Sequence, residues 1–165
     1  MGIPGLDGSE LMAWVNSTST KWKQLFSDHP EAVDIPCDIR ETHSSRELLQ
    51  HIVAVELRYA QRLSGLQETP YEDIAVASVD ALYAVHERAM LLLSDLSSHD
   101  ENWWNECLEF QTRSAGMMRA PRRMILVHLL MHSIRHYAQL ATLMRQHGIS
   151  PQWMMDYLGM SQQDA

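Results

Sequence analysis

The segment from Pro121 to Gly148 constrains the fold more than any other part of the chain. It opens with a proline and closes with a glycine, which is the pattern of one long helix that starts and stops at these residues. Its apolar residues lie nearly all round the helix, so packing against one face would leave other apolar residues exposed to water. The apolar residues opposite its row of histidines are Leu126, Leu130, Tyr137 and Met144. We expect the crossing segment with Trp103 and Trp104 or a twin subunit to cover that face, and we predict a homodimer.

Three earlier segments carry the apolar spacing of helices. They run from about Ser9 to Ser27, from Ser44 to Ser64 and from about Tyr71 to Leu96. In the second, Ser44 and Glu47 form the S-x-x-E pattern of a capping box. Together with the long helix, these segments predict four helices packed as a bundle.

The remaining segments are connections and ends. Residues 101–120 lack helical spacing, and the alternation from Cys107 to Thr112 indicates a short strand or an extended crossing loop. A short closing helix is expected from Ser150 to about Leu158, followed by a frayed tail over about 160–165. The predicted fold is all-α: a four-helix bundle with a long connection before the last long helix and a short C-terminal helix, in a single domain over residues 1–165.

Composition excludes several classes of protein. The formal net charge of -8 argues against nucleic acid as a partner, because phosphate binding needs clustered lysine and arginine. No apolar run approaches the roughly 18 residues that span a bilayer, and no secretory signal is visible, so we expect a cytoplasmic protein away from membranes. The two cysteines are far apart and form no C-x-x-C motif.

Charge is nevertheless uneven along the chain. No acidic residue lies between Glu109 and Asp156, whereas this stretch contains several arginines. It is either a basic helix docked on acidic neighbours or an anion-attracting surface.

The long helix carries His128, His132 and His136 at intervals of one helical turn. One metal ion can take the first two or the last two, because neighbours in this row are about 6 Å apart and the outer pair about 12 Å. His132 belongs to both pairs. No carboxylate lies on this helix, so further ligands must come from another helix or from solvent, and His51 is the obvious candidate. His51 lies at the flank of the apolar face of its helix.

Glu47 precedes His51 by one turn on the same side of the helix. It could be a fourth ligand, an acceptor that fixes the imidazole tautomer, or only a capping residue. Other metal and nucleotide architectures have no support, because E-x-x-H, H-E-x-x-H, Walker and G-x-G-x-x-G patterns are all missing from the sequence.

Two stretches, LLQHIVAVELRYAQRLSG and HLLMHSIRHYAQLATLMRQHG, resemble the signature helices of DinB-like proteins, which are metal-binding four-helix bundles. The resemblance implies that His51, His132 and His136 hold the metal and that His128 does not. The family's usual H-R-G-Q after the last ligand reads His136-Tyr137-Ala138-Gln139 here.

Three neutral imidazoles leave the charge of a divalent ion uncompensated, which favours an anion at an open coordination position. Zinc, nickel, iron and manganese all suit such ligands. Some DinB-like proteins resemble thiol-dependent transferases, so we expect thiol transfer or metal-assisted hydrolysis of a small molecule that is anionic or a thiol. One alternative is a non-catalytic metal-binding or stress-related interaction protein that uses the bundle as a scaffold. Another is a metal-free bundle whose histidines bond to Gln139, Tyr83 or water.

Overall fold

A computed structural model describes residues 5–74, 76–112 and 115–162 of the chain. The main elements are α1 (Gly8–Asp28), α2 (Ser45–Leu63), α3 (Val79–Asp95), α4 (Glu101–Asn105), β1 (Cys107–Thr112), β2 (Gly116–Pro121) and α5 (Arg122–Gln146). Short 3-10 segments occupy Pro30–Asp34, Ile39–Glu41, Tyr71–Asp73, Leu96–Ser98 and Tyr157–Gln162. Of the four long helices, α2 packs against α3 and α5, and α1 contacts the same two helices.

The predicted fold is confirmed in part: most of the chain is helical, but the connection before α5 contains a two-stranded antiparallel sheet, so the chain is not all-α. Of the two alternatives predicted for Cys107 to Thr112, the structure has the short strand, which pairs with β2 so that Thr112 faces Gly116 and Cys107 faces Pro121. Gly116 has a φ of 71°, a conformation that glycine adopts without a steric penalty. The fold is therefore mostly helical with a small β-hairpin.

The start of α2 and the end of α5 follow the sequence signals. Ser44 caps α2 by accepting a hydrogen bond from the Glu47 backbone N–H. The Glu47 carboxylate bonds to the backbone N–H of His43 at 2.8 Å, one residue earlier than a capping box requires. Gly148 follows α5 with a φ of 80°, as a helix-terminating glycine does.

Two helix predictions need correction. The third helix begins at Val79 rather than near Tyr71, because Ser78 provides its cap and Tyr71–Asp73 forms only one 3-10 turn. The closing helix from Ser150 to Leu158 does not form; the chain has only the 3-10 segment Tyr157–Gln162 there. Burial alternates from residue 151 to residue 158, which is the pattern of an extended segment with every second side chain facing the core.

The apolar core consists of two clusters stacked along the bundle. One surrounds Trp22, Ile52 and Tyr137, and the other surrounds Val15 and Leu129. The residues predicted to need an outside cover are buried in these clusters: Leu126, Leu130, Tyr137 and Met144. Trp103 and Trp104 pack against the second cluster. None of the helices described has the length and hydropathy needed to cross a membrane.

Candidate metal centre

Three histidines from two helices meet at the seam between α2 and α5. Nε2 of His132 lies 3.2 Å from Nε2 of His51 and 3.2 Å from Nε2 of His136. One ligand atom from each of the three residues lies within 4.8 Å of the other two. Nitrogens held at 2.0–2.1 Å by a tetrahedral zinc ion are about 3.3 Å apart. The three histidines are therefore close enough to bind one metal ion.

His128 lies outside this group. Its ring centroid is 6.0 Å from that of His132, and its ring lies against Tyr59, with 5.5 Å between centroids. Of the two pairs that the sequence allowed, the structure therefore brings together His132 and His136, and it leaves His128 out.

Gln139 orients His136. Its amide oxygen lies 2.6 Å from Nδ1 of His136 and can only accept a hydrogen bond, so the proton of the neutral ring is on Nδ1. This leaves a lone pair on Nε2, the nitrogen that faces His132. A hydrogen bond from the ring nitrogen that does not bind the metal is the usual means by which proteins fix the tautomer and orientation of a metal-ligating histidine.

His132 is held in the neutral state. Burial and the neighbouring His136 and His51, followed by Arg135 and His128, lower its pKa to about 2. Its Nδ1 is buried and makes no hydrogen bond to the residues described. A neutral imidazole is the form that ligates a metal, so the environment of His132 favours the ligand state.

Arg135 stands at the exposed side of the histidine group. Its Nη2 lies 3.3 Å from Nε2 of His136, where it donates to the same lone pair that a metal would use. His51 is half-buried, as its flank position predicted, whereas His132 and His136 are buried. Glu47 does not join the group, since its carboxylate caps the start of α2.

A second polar cluster escaped the sequence analysis. The Glu56 carboxylate, which is fully buried, accepts hydrogen bonds from Nδ1 of His86 at 2.7 Å and from the Ser133 hydroxyl at 2.6 Å. Nε2 of His86 lies 3.1 Å from the amide oxygen of Asn16. Because both partner atoms are oxygens that only accept, both ring nitrogens of His86 donate, and the ring carries a positive charge.

The pKa of His86 agrees with this arrangement. Burial lowers it, but the charge and hydrogen bond of Glu56 outweigh burial, so the pKa is raised above its usual value. The sequence did contain a signal: Leu48, Ile52 and Glu56 form one row at intervals of a helical turn, which puts a carboxylate on the apolar face of α2.

Comparison with known proteins agrees with the geometry. A profile of the DinB family matches residues 8–164. The crystal structure of a DinB-like protein from Bacillus cereus ATCC 10987 superposes with a TM-score of 0.57 and 20% sequence identity, covering 88% of this chain and 95% of that one. No curated protein matches the chain. The resemblance of two helices extends to nearly the whole sequence, and the chain belongs to the DinB family.

Proposed function

We propose that His51, His132 and His136 bind one divalent metal ion and that the ion is the reactive centre of a small-molecule enzyme. The observation that carries the proposal is the spacing of 3.2 Å on both sides of Nε2 of His132. Without a proton or a cation between them, nitrogen lone pairs at this distance repel one another. A shared ion accounts for two such contacts on a histidine whose pKa is strongly lowered.

The reaction class is thiol transfer or metal-assisted hydrolysis. A bound divalent ion with three imidazole ligands keeps a position for an anion and lowers the pKa of a thiol or water bound there. The residues of this chain contribute the neutral state of His132, the tautomer of His136 set by Gln139, and a helix without acidic residues that would repel an anion. Zinc, nickel, iron and manganese remain the candidate metals.

A structural role for the ion is the second candidate. The burial of His132 and His136, which are 7% and 1% exposed, favours it. In that case the protein would be a non-catalytic metal-binding or stress-related interaction protein. A fourth ligand position open to small anions distinguishes an enzyme from this alternative.

The proposal includes a homodimer. Met124, Val127 and Met131 are 60%, 44% and 43% exposed and form a stripe on one side of α5. Met117 and Met118 of the neighbouring β2 are also exposed. A two-fold dimer would cover this stripe, and sedimentation velocity over a range of concentrations measures dimer formation.

Metal analysis tests the proposed site. Protein purified without a histidine tag and loaded with zinc should contain about one equivalent, and His132→Ala should lose it. The matched control is His147→Ala, which removes an exposed histidine just beyond α5 and should leave the metal content unchanged. Wild-type protein that takes up neither zinc, nickel, iron nor manganese would overturn the proposal.

A further inference from the structure

Arg135 places a positive charge beside the ligand nitrogens. Its guanidinium lies 3.3 Å from Nε2 of His136, and its charge contributes to the lowered pKa values of His132 and His128. The side chain is exposed, so a ligand arriving from solvent can reach it.

Arg135 differs in its partners from the three arginines that pair closely with glutamates. Arg58, Arg62 and Arg122 each form an ion pair with a glutamate at short distance. Arg135 forms no ion pair with any carboxylate in the described ranges, and its hydrogen bond is to an imidazole nitrogen. Its positive charge is therefore not neutralised within the part of the chain that the structure covers.

A metal ion and Arg135 compete for one lone pair. Because Nδ1 of His136 donates to Gln139, Nε2 holds the only lone pair that this ring offers. A metal ion bound there would displace Nη2 of Arg135, and the backbone would keep the freed guanidinium beside the site, one residue from a ligand. Two neighbouring cations on a helix without acidic residues leave a place for an anion between them.

We infer that Arg135 binds the carboxylate group of a small-molecule ligand whose other contact is the open position of the metal. The planar fork of N–H donors on a guanidinium matches the two oxygens of a carboxylate. The inference rests on the proposed metal site and deepens it, because it names a carboxylate as the chemical class that the site recognises. Arg135 is thus a ligand-binding residue of the proposed enzyme.

Cobalt(II) as the bound metal and acetate as the probe test this inference without an assay of activity. Cobalt affinity is measured first, and acetate affinity follows from the change in the visible spectrum of the cobalt-loaded protein. Arg135→Gln should bind cobalt at least as tightly as wild type, because a competing donor and a repelling charge are gone. Its acetate affinity should be about tenfold weaker, as expected for the loss of a hydrogen bond to a charged group.

Two further variants complete the experiment. Arg145→Gln removes an exposed arginine near the end of the same helix and should leave acetate affinity unchanged. Arg135→Lys keeps the charge without the fork and should recover part of the affinity. Equal acetate affinity in wild type and Arg135→Gln would overturn the inference alone. Failure of the wild type to bind cobalt would contradict the proposed metal site, and the inference with it.

Discussion

Gln139 fixes which nitrogen of His136 faces the site, through its hydrogen bond to Nδ1 of that ring. Replacing it with alanine frees the ring to change tautomer or to rotate. Gln139→Ala should therefore weaken zinc binding by about 10- to 100-fold, the usual loss when the partner of a ligating histidine is removed. Competition with a chromophoric chelator measures the affinity.

The control for Gln139 is Gln146→Ala, which removes an exposed glutamine at the end of the same helix. It should bind zinc as wild type does. Gln139→Ala with wild-type zinc affinity would show that the hydrogen bond at 2.6 Å does not orient His136.

At the scale of single residues, the sequence limited the choice of metal ligands but did not identify all of them. The row of histidines on α5 allowed two pairs, and only the resemblance to DinB-like proteins selected His132 and His136. His51 was the obvious candidate from another helix, but spacing alone could not show that it turns toward α5, because that depends on how two distant helices pack. The pairing of Glu56 with His86 was missed for the same reason, since it joins residues of two helices that are 30 positions apart in sequence.

At the scale of elements, a polar layer divides the core. Each long helix contributes one member: Asn16 from α1, Glu56 from α2, His86 from α3 and Ser133 from α5. The apolar clusters lie on either side of it along all four helices. A buried carboxylate must keep its partners, so this layer disfavours sliding of one helix along another. Ser133 directly follows His132, which links the layer to the candidate metal centre.

The ion pair in this layer predicts a pH dependence of stability. Because the pKa of His86 is raised in the folded protein, its stabilising contribution is complete below about pH 6.5 and is lost as pH rises through the raised value. The free energy of unfolding of metal-free protein should fall as pH rises above 6.5. In Glu56→Gln the carboxylate that raises this pKa is absent, so the fall should disappear. Urea denaturation in the presence of a chelator measures both proteins.

Two features make this measurement specific. The lowered pKa of His132 has the opposite sign, and it reduces stability only as pH falls below about 6.5, outside the window used. The control Glu109→Gln removes an exposed carboxylate that lies 3.7 Å from Arg119, and it should keep the wild-type pH dependence. An equal fall in Glu56→Gln and wild type would contradict the assignment of the charge to His86.

Two helix ends with local signals were predicted well, and strand β2, which depends on distant contacts, was not. The cap at Ser44 and the glycine after α5 act within one helical turn, so they are visible in the sequence. Strand β2 depends on its pairing with β1, and that hairpin docks on α2 through Arg62. The guanidinium of Arg62 lies between the rings of Tyr59 and Phe110, at 4.4 Å and 4.3 Å from their centroids.

At the scale of the whole molecule, the stripe of Met124, Val127 and Met131 predicts how copies of the chain associate. Met131→Glu should shift the protein from dimer to monomer, because a carboxylate in an apolar interface loses its hydration. Sedimentation velocity measures the change. The control is Leu91→Glu, at a residue of α3 that is 68% exposed and lies outside the stripe, and it should remain dimeric. A wild-type chain that stays monomeric at all concentrations would refute the dimer.

The candidate ligands come from helices that are far apart in the chain, since His51 and His132 are separated by 81 positions. An ion bound by both would act as a reversible cross-link that closes a long loop, and loop closure stabilises a fold by restricting the unfolded chain. The ligand set also exists only when α2 and α5 are packed together. Metal binding and folding of the chain would then be coupled, so the fraction of folded protein would depend on the free concentration of metal.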